Sequence, residues 1–176
     1  MTIHKTRTLV AAALLLVGGS QTLRAAEAVP AALQPPAGYT LAFTAEAKGV
    51  QIYTSTAEAG AAPKWVLEAP LAELAAPKTS IHHYAGPSWE AADGSKVARD
   101  KDTPVAAVPA KQANADIPWL LVKVTADPAA GVLSRVSYVQ RIATHGGVAP
   151  ATPPVRTDTK VGVPYTATYV FYAKAN

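Results

Sequence analysis

Two adjacent histidines, His82 and His83, are followed closely by Glu90 and Asp93, and a further imidazole, His145, lies far along the chain. Two imidazoles and a carboxylate make a donor set suited to zinc, copper or iron. Consecutive side chains on a strand point to opposite faces, so only one of His82 and His83 faces a given pocket. The metal candidates are therefore His83 and His145, with no metal assigned. A plainer use exists for the same residues, with His83 packing or hydrogen-bonding beside Tyr84 and Trp89 while Asp93 forms a turn. Ser88 or Ser95 beside His83 would be the hydrolytic version. No G-x-S-x-G elbow is present, however, and no catalytic residue is assigned.

Binding chemistry extends the set to aromatic and basic residues. In Gly86-Pro87-Ser88-Trp89-Glu90 a proline after glycine fixes a bend and buries the tryptophan. Trp65, Trp89 and Trp119, with the tyrosines, also suit a stacking platform for a sugar or another planar ligand. Trp119, inside the run IPWLL, is expected in the core, and Trp65, between Lys64 and Glu68, is expected to be the exposed one. Arg135 and Arg141 are expected on the polar face of one strand. There they suit a carboxylate or sulfate, or ordinary surface salt bridges, with Arg141 bracing Glu90 or Asp93 across a sheet. The candidate ligand-binding residues are His83, Trp89, Glu90, Asp93 and Arg141.

The elements that must position them have period two. In Val163–Ala173, Val163, Tyr165, Ala167, Tyr169, Phe171 and Ala173 line one face, against Thr166, Thr168 and Tyr172. Across Val132–Thr144 the alternation puts Val136, Tyr138 and Ile142 on one face and Arg135 and Arg141 on the other. Ile117–Val124 is almost continuously apolar and reads as a central strand, with Pro118 confined to its start. Further strands are expected at Tyr39–Ala45, Val50–Ser55, Lys64–Glu68, Ser80–Tyr84, Ser88–Ala91, Lys96–Arg99 and Pro104–Val108. Asp93-Gly94 predicts a tight hairpin with positive φ at both central residues. A helix is conceivable only over Leu67–Ala76, where Pro70 opposes it. About nine short strands with little helix predict an all-β fold, an antiparallel β-sandwich or a partly closed barrel. The Ala- and Pro-rich stretches at 25–37, 104–115 and 148–158 read as loops or, for the first, a flexible N-terminal arm.

Of the 176 residues, 49% are hydrophobic, 16% are charged and none is cysteine. The charged share is well under the roughly 25% of ordinary soluble domains, which excludes a disordered chain, a coiled coil and a polyelectrolyte binder. The absence of cysteine excludes thiol nucleophiles, disulfides, zinc–cysteine sites and iron–sulfur clusters. Lys5 and Arg7 precede the apolar run Leu9–Gly19, which is shorter than the about 20 residues of a membrane helix and matches a secretory signal. Cleavage after Ala26-Glu27-Ala28 leaves Val29–Asn176 as one domain of 148 residues. It also removes Lys5, Arg7, Arg24 and Glu27, so the formal net charge falls from +4 to +2 and no basic cluster remains for nucleic acid. Export to a periplasm or beyond the cell is expected, with no membrane span in the mature chain.

A set of phrases resembles a known family. They are Lys48-Gly49-Val50-Gln51-Ile52-Tyr53, His83-Tyr84-Ala85-Gly86-Pro87-Ser88-Trp89-Glu90 with Asp93-Gly94-Ser95, Ile117-Pro118-Trp119-Leu120-Leu121, Val139-Gln140-Arg141 with Gly146-Gly147, and Val163-Pro164-Tyr165-Thr166-Ala167. In that order they resemble a family of exported bacterial and fungal proteins classed as a domain of unknown function. The resemblance implies no activity, substrate or catalytic residue. It implies a disulfide between the region after Gln-Ile-Tyr and the region after the Gly-Gly turn. Here Thr54-Ser55-Thr56 and Ala151-Thr152 stand there instead, so the 144–160 loop is expected to be less restrained. Fungal relatives often carry the label malate dehydrogenase. The dinucleotide site of such an enzyme needs a G-x-G-x-x-G turn between strand and helix, and this chain has no such spacing.

The expected function is therefore a non-enzymatic exported domain that binds a small molecule, a glycan or an envelope component, without a cofactor. The alternative is a small hydrolase or metal-dependent enzyme centred on His83, Glu90 and Asp93.

Overall fold

The computed structural model describes residues 28–175, so the expected signal peptide lies, apart from Ala28, outside the described residues. A 3-10 turn at Ala31–Leu33 precedes nine strands. These are β1 Tyr39–Thr56, β2 Lys64–Ala76, β3 Thr79–Tyr84, β4 Ser88–Ala91, β5 Lys96–Arg99, β6 Ala106–Val108, β7 Trp119–Ala126, β8 Val136–Gly146 and β9 Lys160–Lys174. All pairings are antiparallel, in the order β5-β4-β3-β2-β1-β9-β8-β7. β5 returns to pair with β7, Val97 opposite Ala126 and Arg99 opposite Val124, and this closes eight strands into a barrel. β6 adds to the N-terminal half of β7, outside the ring. Of the two expected all-β forms, the barrel is the one adopted.

The alternation read in β9 holds over its central part. Tyr165, Ala167, Tyr169 and Phe171 are buried inside, whereas Val163 and Ala173 near the strand ends are only half-buried. Small Ala45, Ala47, Ala72 and Ala167 line the same interior and leave room for Trp89, Tyr169 and Phe171. β1 joins two predicted strands through Gly49, where a Cβ would sit 2.2 Å from the Leu71 carbonyl oxygen. Glycine is required there because β1 and β2 approach too closely for any side chain. The segment Leu67–Ala76 is strand, not helix, and Pro70 lies beyond the end of β3, where β2 is paired on one side only. The Asp93-Gly94 turn forms, but of the two only Gly94 takes positive φ (+83°). The loop between Ala91 and Ser95 has three residues, a length that needs a single left-handed position at its end.

β8 departs most from the sequence reading. Register shifts between Val136 and Tyr138, and again between Ile142 and His145, break its simple alternation. Ala143, with φ of +48°, carries the second bulge. As a result Val136 and Val139 face the interior, while Tyr138 and Ile142 turn to the outer side of the wall. Arg141, expected on a polar face with Arg135, is buried inside the barrel and braces neither Glu90 nor Asp93.

A second, smaller core lies outside the ring. Leu33, Ala110, Trp119 and Leu121 pack there, with Tyr138 and Ile142 against them. Trp119 is thus buried as expected, but under the N-terminal turn rather than inside the barrel. The N-terminal arm read as flexible is docked, with Leu33 fully buried and its carbonyl accepting a 2.6 Å bond from Gln140 Nε2.

Of the two regions in which the resemblance implies a disulfide, the first is tied to residues 156–159 at the far end of the 144–160 loop and the second to Trp65, not to each other. Ser55, fully buried, donates its hydroxyl to the Arg156 carbonyl at 2.7 Å and accepts from the Thr159 N–H at 2.9 Å. Its backbone pairs with Thr159 and Asp158, and Trp65 Nε1 donates to the Thr152 carbonyl at 3.0 Å. Ser55→Ala leaves the Arg156 carbonyl and the Thr159 N–H without their side-chain partner. A stability loss of about 1–3 kcal/mol is expected in a urea titration. A loss below about 0.5 kcal/mol would show that water replaces the hydroxyl without cost.

Candidate functional site

The β3–β4 hairpin is short. Ala72 opposite His83 is where β2 loses its β3 neighbour, and β2 continues past this point to Lys64 beside β1 alone. At this end of the barrel a cavity of about 110 Å³ lies among Gln51, Leu67, Pro70, His83, Pro87, Trp89, Leu120, Val122, Val139, Arg141 and Tyr169. Leu67 is exposed and Pro70, Pro87 and Leu120 are half-buried, so the mouth is apolar. Gln51, His83, Trp89 and Tyr169 are buried.

Arg141 sets the electrostatics. Its Nη2 and Nε donate to the Pro118 carbonyl at 2.9 and 3.3 Å. Among the described residues no carboxylate forms an ion pair with it. Its charge is felt by His83 and by the hydroxyls of Tyr53, Tyr165 and Tyr169. Burial nevertheless dominates at those three tyrosines and raises their pKa values, so they stay protonated. The Tyr165 and Tyr169 hydroxyls lie 3.2 Å apart, and Tyr53 donates to the Gly147 carbonyl at 2.7 Å.

His83 is held neutral, its pKa lowered to about 3 chiefly by burial, with the Arg141 and His82 charges adding to the shift. Its Nδ1 lies 2.9 Å from the Ser88 carbonyl, which requires the N–H there and leaves Nε2 as an acceptor. The ring stacks on Trp89 at 4.5 Å between centroids and 8° between planes. Folded His83 refuses a proton that the unfolded chain takes up below the ordinary value of 6.5. Its contribution is therefore present above about pH 6.5 and is lost as pH falls toward about 3, with a slope of at most about 1.4 kcal/mol per pH unit. Urea titrations between about pH 4 and 7 are expected to show this slope, reduced by one proton in His83→Gln. An unchanged slope in the variant would assign the proton to another group.

Two donors beside the cavity have no partner. The Gln51 amide lies within hydrogen-bonding reach of the Tyr165 hydroxyl and acts to lower its pKa, but its Nε2 makes no well-aligned hydrogen bond, and Trp89 Nε1 has no partner. Arg141, Gln51 and Trp89 all line the space, the Gln51 and Trp89 donor atoms lie beneath its surface, and no Asp or Glu lines it.

The structure brings His83, Trp89 and Arg141 together and leaves the two acidic candidates elsewhere. Glu90 is on the outer face, where it accepts a 2.7 Å bond from the Tyr84 hydroxyl. Its histidine neighbour across the strands is His82, which pairs with Glu73 at 2.5 Å. Asp93 is exposed and structural. Its Oδ1 accepts from the Ser95 hydroxyl at 2.6 Å and backbone at 3.0 Å, and its Oδ2 from the Val132 N–H at 2.8 Å. These bonds, that of the Ser95 hydroxyl foremost, hold its carboxyl below the usual range. His145 is exposed on β8, away from the cavity. Among the described residues no three His, Asp or Glu side chains gather into a metal-binding group. Gln51 and Tyr169 were not among the sequence candidates. Gln51 carried one available signal, a polar residue in the inward register between Gly49 and Tyr53.

The fold and site define a small, closed antiparallel barrel with a packed interior and, at one end, a mainly apolar cavity lined by one cation, Arg141. Residues 75–173 match the family described as Protein of unknown function (DUF3455), and the chain belongs to that family. No curated protein and no solved structure matches the chain. His83, Trp89, Arg141 and Tyr169 fall inside the matched span, whereas Gln51, Leu67 and Pro70 precede it.

Proposed function

We propose that this is a non-enzymatic ligand-binding domain, exported from the cytoplasm, whose site is the cavity beside His83, Trp89 and Arg141. The observation that carries the reading is a buried guanidinium with no carboxylate partner beside two unpartnered N–H donors. A buried charge without a counter-charge costs several kcal/mol, and a ligand that completes it recovers that cost on binding. The volume of about 110 Å³ favours a small molecule over a glycan or an envelope polymer. Hydrolysis is disfavoured, because the Ser95 hydroxyl is tied to Asp93 and Leu133 and burial lowers the His83 pKa to about 3, which leaves its free Nε2 a weak base. Among the described residues no helix is long and apolar enough to cross a membrane, consistent with a mature domain without a helical span.

A thermal-shift screen of the protein against metal ions, sugars, amines and small acids tests the binding reading. A ligand at about 100 times its Kd adds about 2.7 kcal/mol, several degrees in Tm for a domain of this size. No shift from any class, even at millimolar concentration, would refute it. Export has its own readout. Protein recovered outside the cytoplasm is expected to begin at Val29, and material that retains residues 1–28 would count against it.

A further inference from the structure

We infer that the ligand of this cavity is a small carboxylic acid with a compact apolar body, bound as its anion with the carboxylate against Arg141. The inference rests on the binding reading above and adds the charge and shape of what is bound.

Charge comes first. The lining residues include one cation, Arg141, and no acid. His83 is neutral and the buried tyrosines are protonated, so nothing in the interior balances the guanidinium. A cationic or amine ligand would add a second positive charge to the same space. A guanidinium has five N–H donors; Pro118 takes two of them and the Tyr169 hydroxyl lies within reach of the group as well, which leaves the remaining N–H groups for a carboxylate.

Hydrogen-bond polarity points the same way. Gln51 Nε2 and Trp89 Nε1 are donors, buried and unpartnered. A ligand that satisfies them must bring acceptors. A carboxylate offers about four lone-pair sites, enough for the guanidinium and for a neighbouring N–H group that a small side-chain shift turns toward the cavity. An amide offers fewer and carries no charge for Arg141.

The walls decide the rest of the molecule. Leu67, Pro70, Pro87, Leu120, Val122 and Val139 supply the remaining surface, and the first four form the mouth. Inorganic phosphate or sulfate would meet apolar atoms on this side, whereas a branched or aromatic body is matched there. A cavity of about 150 Å³ holds benzene, so one of about 110 Å³ encloses an acid of isobutyrate size, and the ring of benzoate extends into the open apolar mouth.

The test compares acids with their neutral isosteres on the full protein. Sodium benzoate and sodium isobutyrate are titrated calorimetrically beside benzamide, isobutyramide, benzylamine and sodium phosphate. The acids are expected to bind about 10- to 100-fold more tightly than the amides, with no binding of benzylamine. In a ¹H–¹⁵N spectrum one of the three indole N–H signals, assigned to Trp89 by its absence in Trp89→Phe, is expected to move as the acid binds. Arg141→Met is expected to lose at least about 100-fold in acid affinity, and Gln51→Leu about 10-fold. The comparison of acid with amide uses the unaltered protein and stands even if a variant fails to fold. Equal affinity for benzoate and benzamide would overturn the anion assignment while leaving a binding domain. Tighter binding of phosphate than of either acid would overturn the apolar body. If none of these compounds binds but a sugar or metal shifts the Tm, the inference fails alone, and if nothing in the wider screen binds, both readings fail.

Discussion

A polypeptide cut to residues 75–173, the span matched by the family, is expected to remain unfolded on its own. The cut removes β1 and all of β2 except Ala75 and Ala76. β1 pairs with β9 from Tyr39 to Thr54 and with β2 from Glu46 to Thr56, and is therefore the staple between the first and last parts of the barrel. Without it β9 and β3 become open edges, and the inner faces of Tyr165, Tyr169 and Phe171 lose Ala45 and Ala47 as cover. A stability of about 5–15 kcal/mol for a whole domain cannot absorb the loss of two strands from an eight-strand ring. Far-ultraviolet circular dichroism and amide dispersion should report a disordered or aggregated fragment, while residues 29–176 fold cooperatively. A dispersed spectrum from the fragment would mean that β3 and β9 close on each other, and the structural domain would then be the shorter span.

Trp89→Ala carries the second large effect. Trp89 is 2% exposed, stacks on His83 and meets Tyr169 edge-on with ring centroids 6.3 Å apart. Truncation opens a void in the middle of the barrel and enlarges the adjoining cavity. The expected loss is about 3–5 kcal/mol, or roughly 10 °C in Tm at 2–4 °C per kcal/mol. Trp89→Phe keeps most of the ring volume and removes the unpartnered Nε1, so its loss should be well under half as large. Calorimetry on the two variants separates packing from polarity. Equal losses would show that the indole N–H has a partner in solution, such as an ordered water.

The pairing of sequence pattern with outcome differs strand by strand. β9 was legible because Tyr165, Ala167, Tyr169 and Phe171 keep the inward alternation through its centre, although Val170 on the opposite face is buried as well. β8 was not, because its bulges carry no glycine or proline to announce them. Ala143 adopts φ of +48° under tertiary constraint, and the register shift at its other end reverses Tyr138 relative to Val136. Arg141 was read as a surface residue for that reason. At the site, parity showed that His82 and His83 face opposite sides, but it contained no information about which side is inside. The cross-strand partners decide that: His83 faces inward with Trp89, and His82 faces outward with Glu90. Asp93 was separable from the site only through its bond to Val132, 39 residues along the chain.

By itself the sequence determined the β character of the chain, the positions of most strands and turns, and the lack of any cysteine and of a G-x-G-x-x-G spacing. Each of these depends on residues within about ten positions of one another, where side-chain alternation and turn stereochemistry act directly. Only the tertiary structure decided that the sheet closes through β5 and β7, that Arg141 lies inside without a counter-charge, and that Gln51 and Trp89 are left with free donors beside it. Those outcomes depend on pairings between segments far apart in the chain, and a bulge that shifts register by one residue sends a side chain to the opposite face.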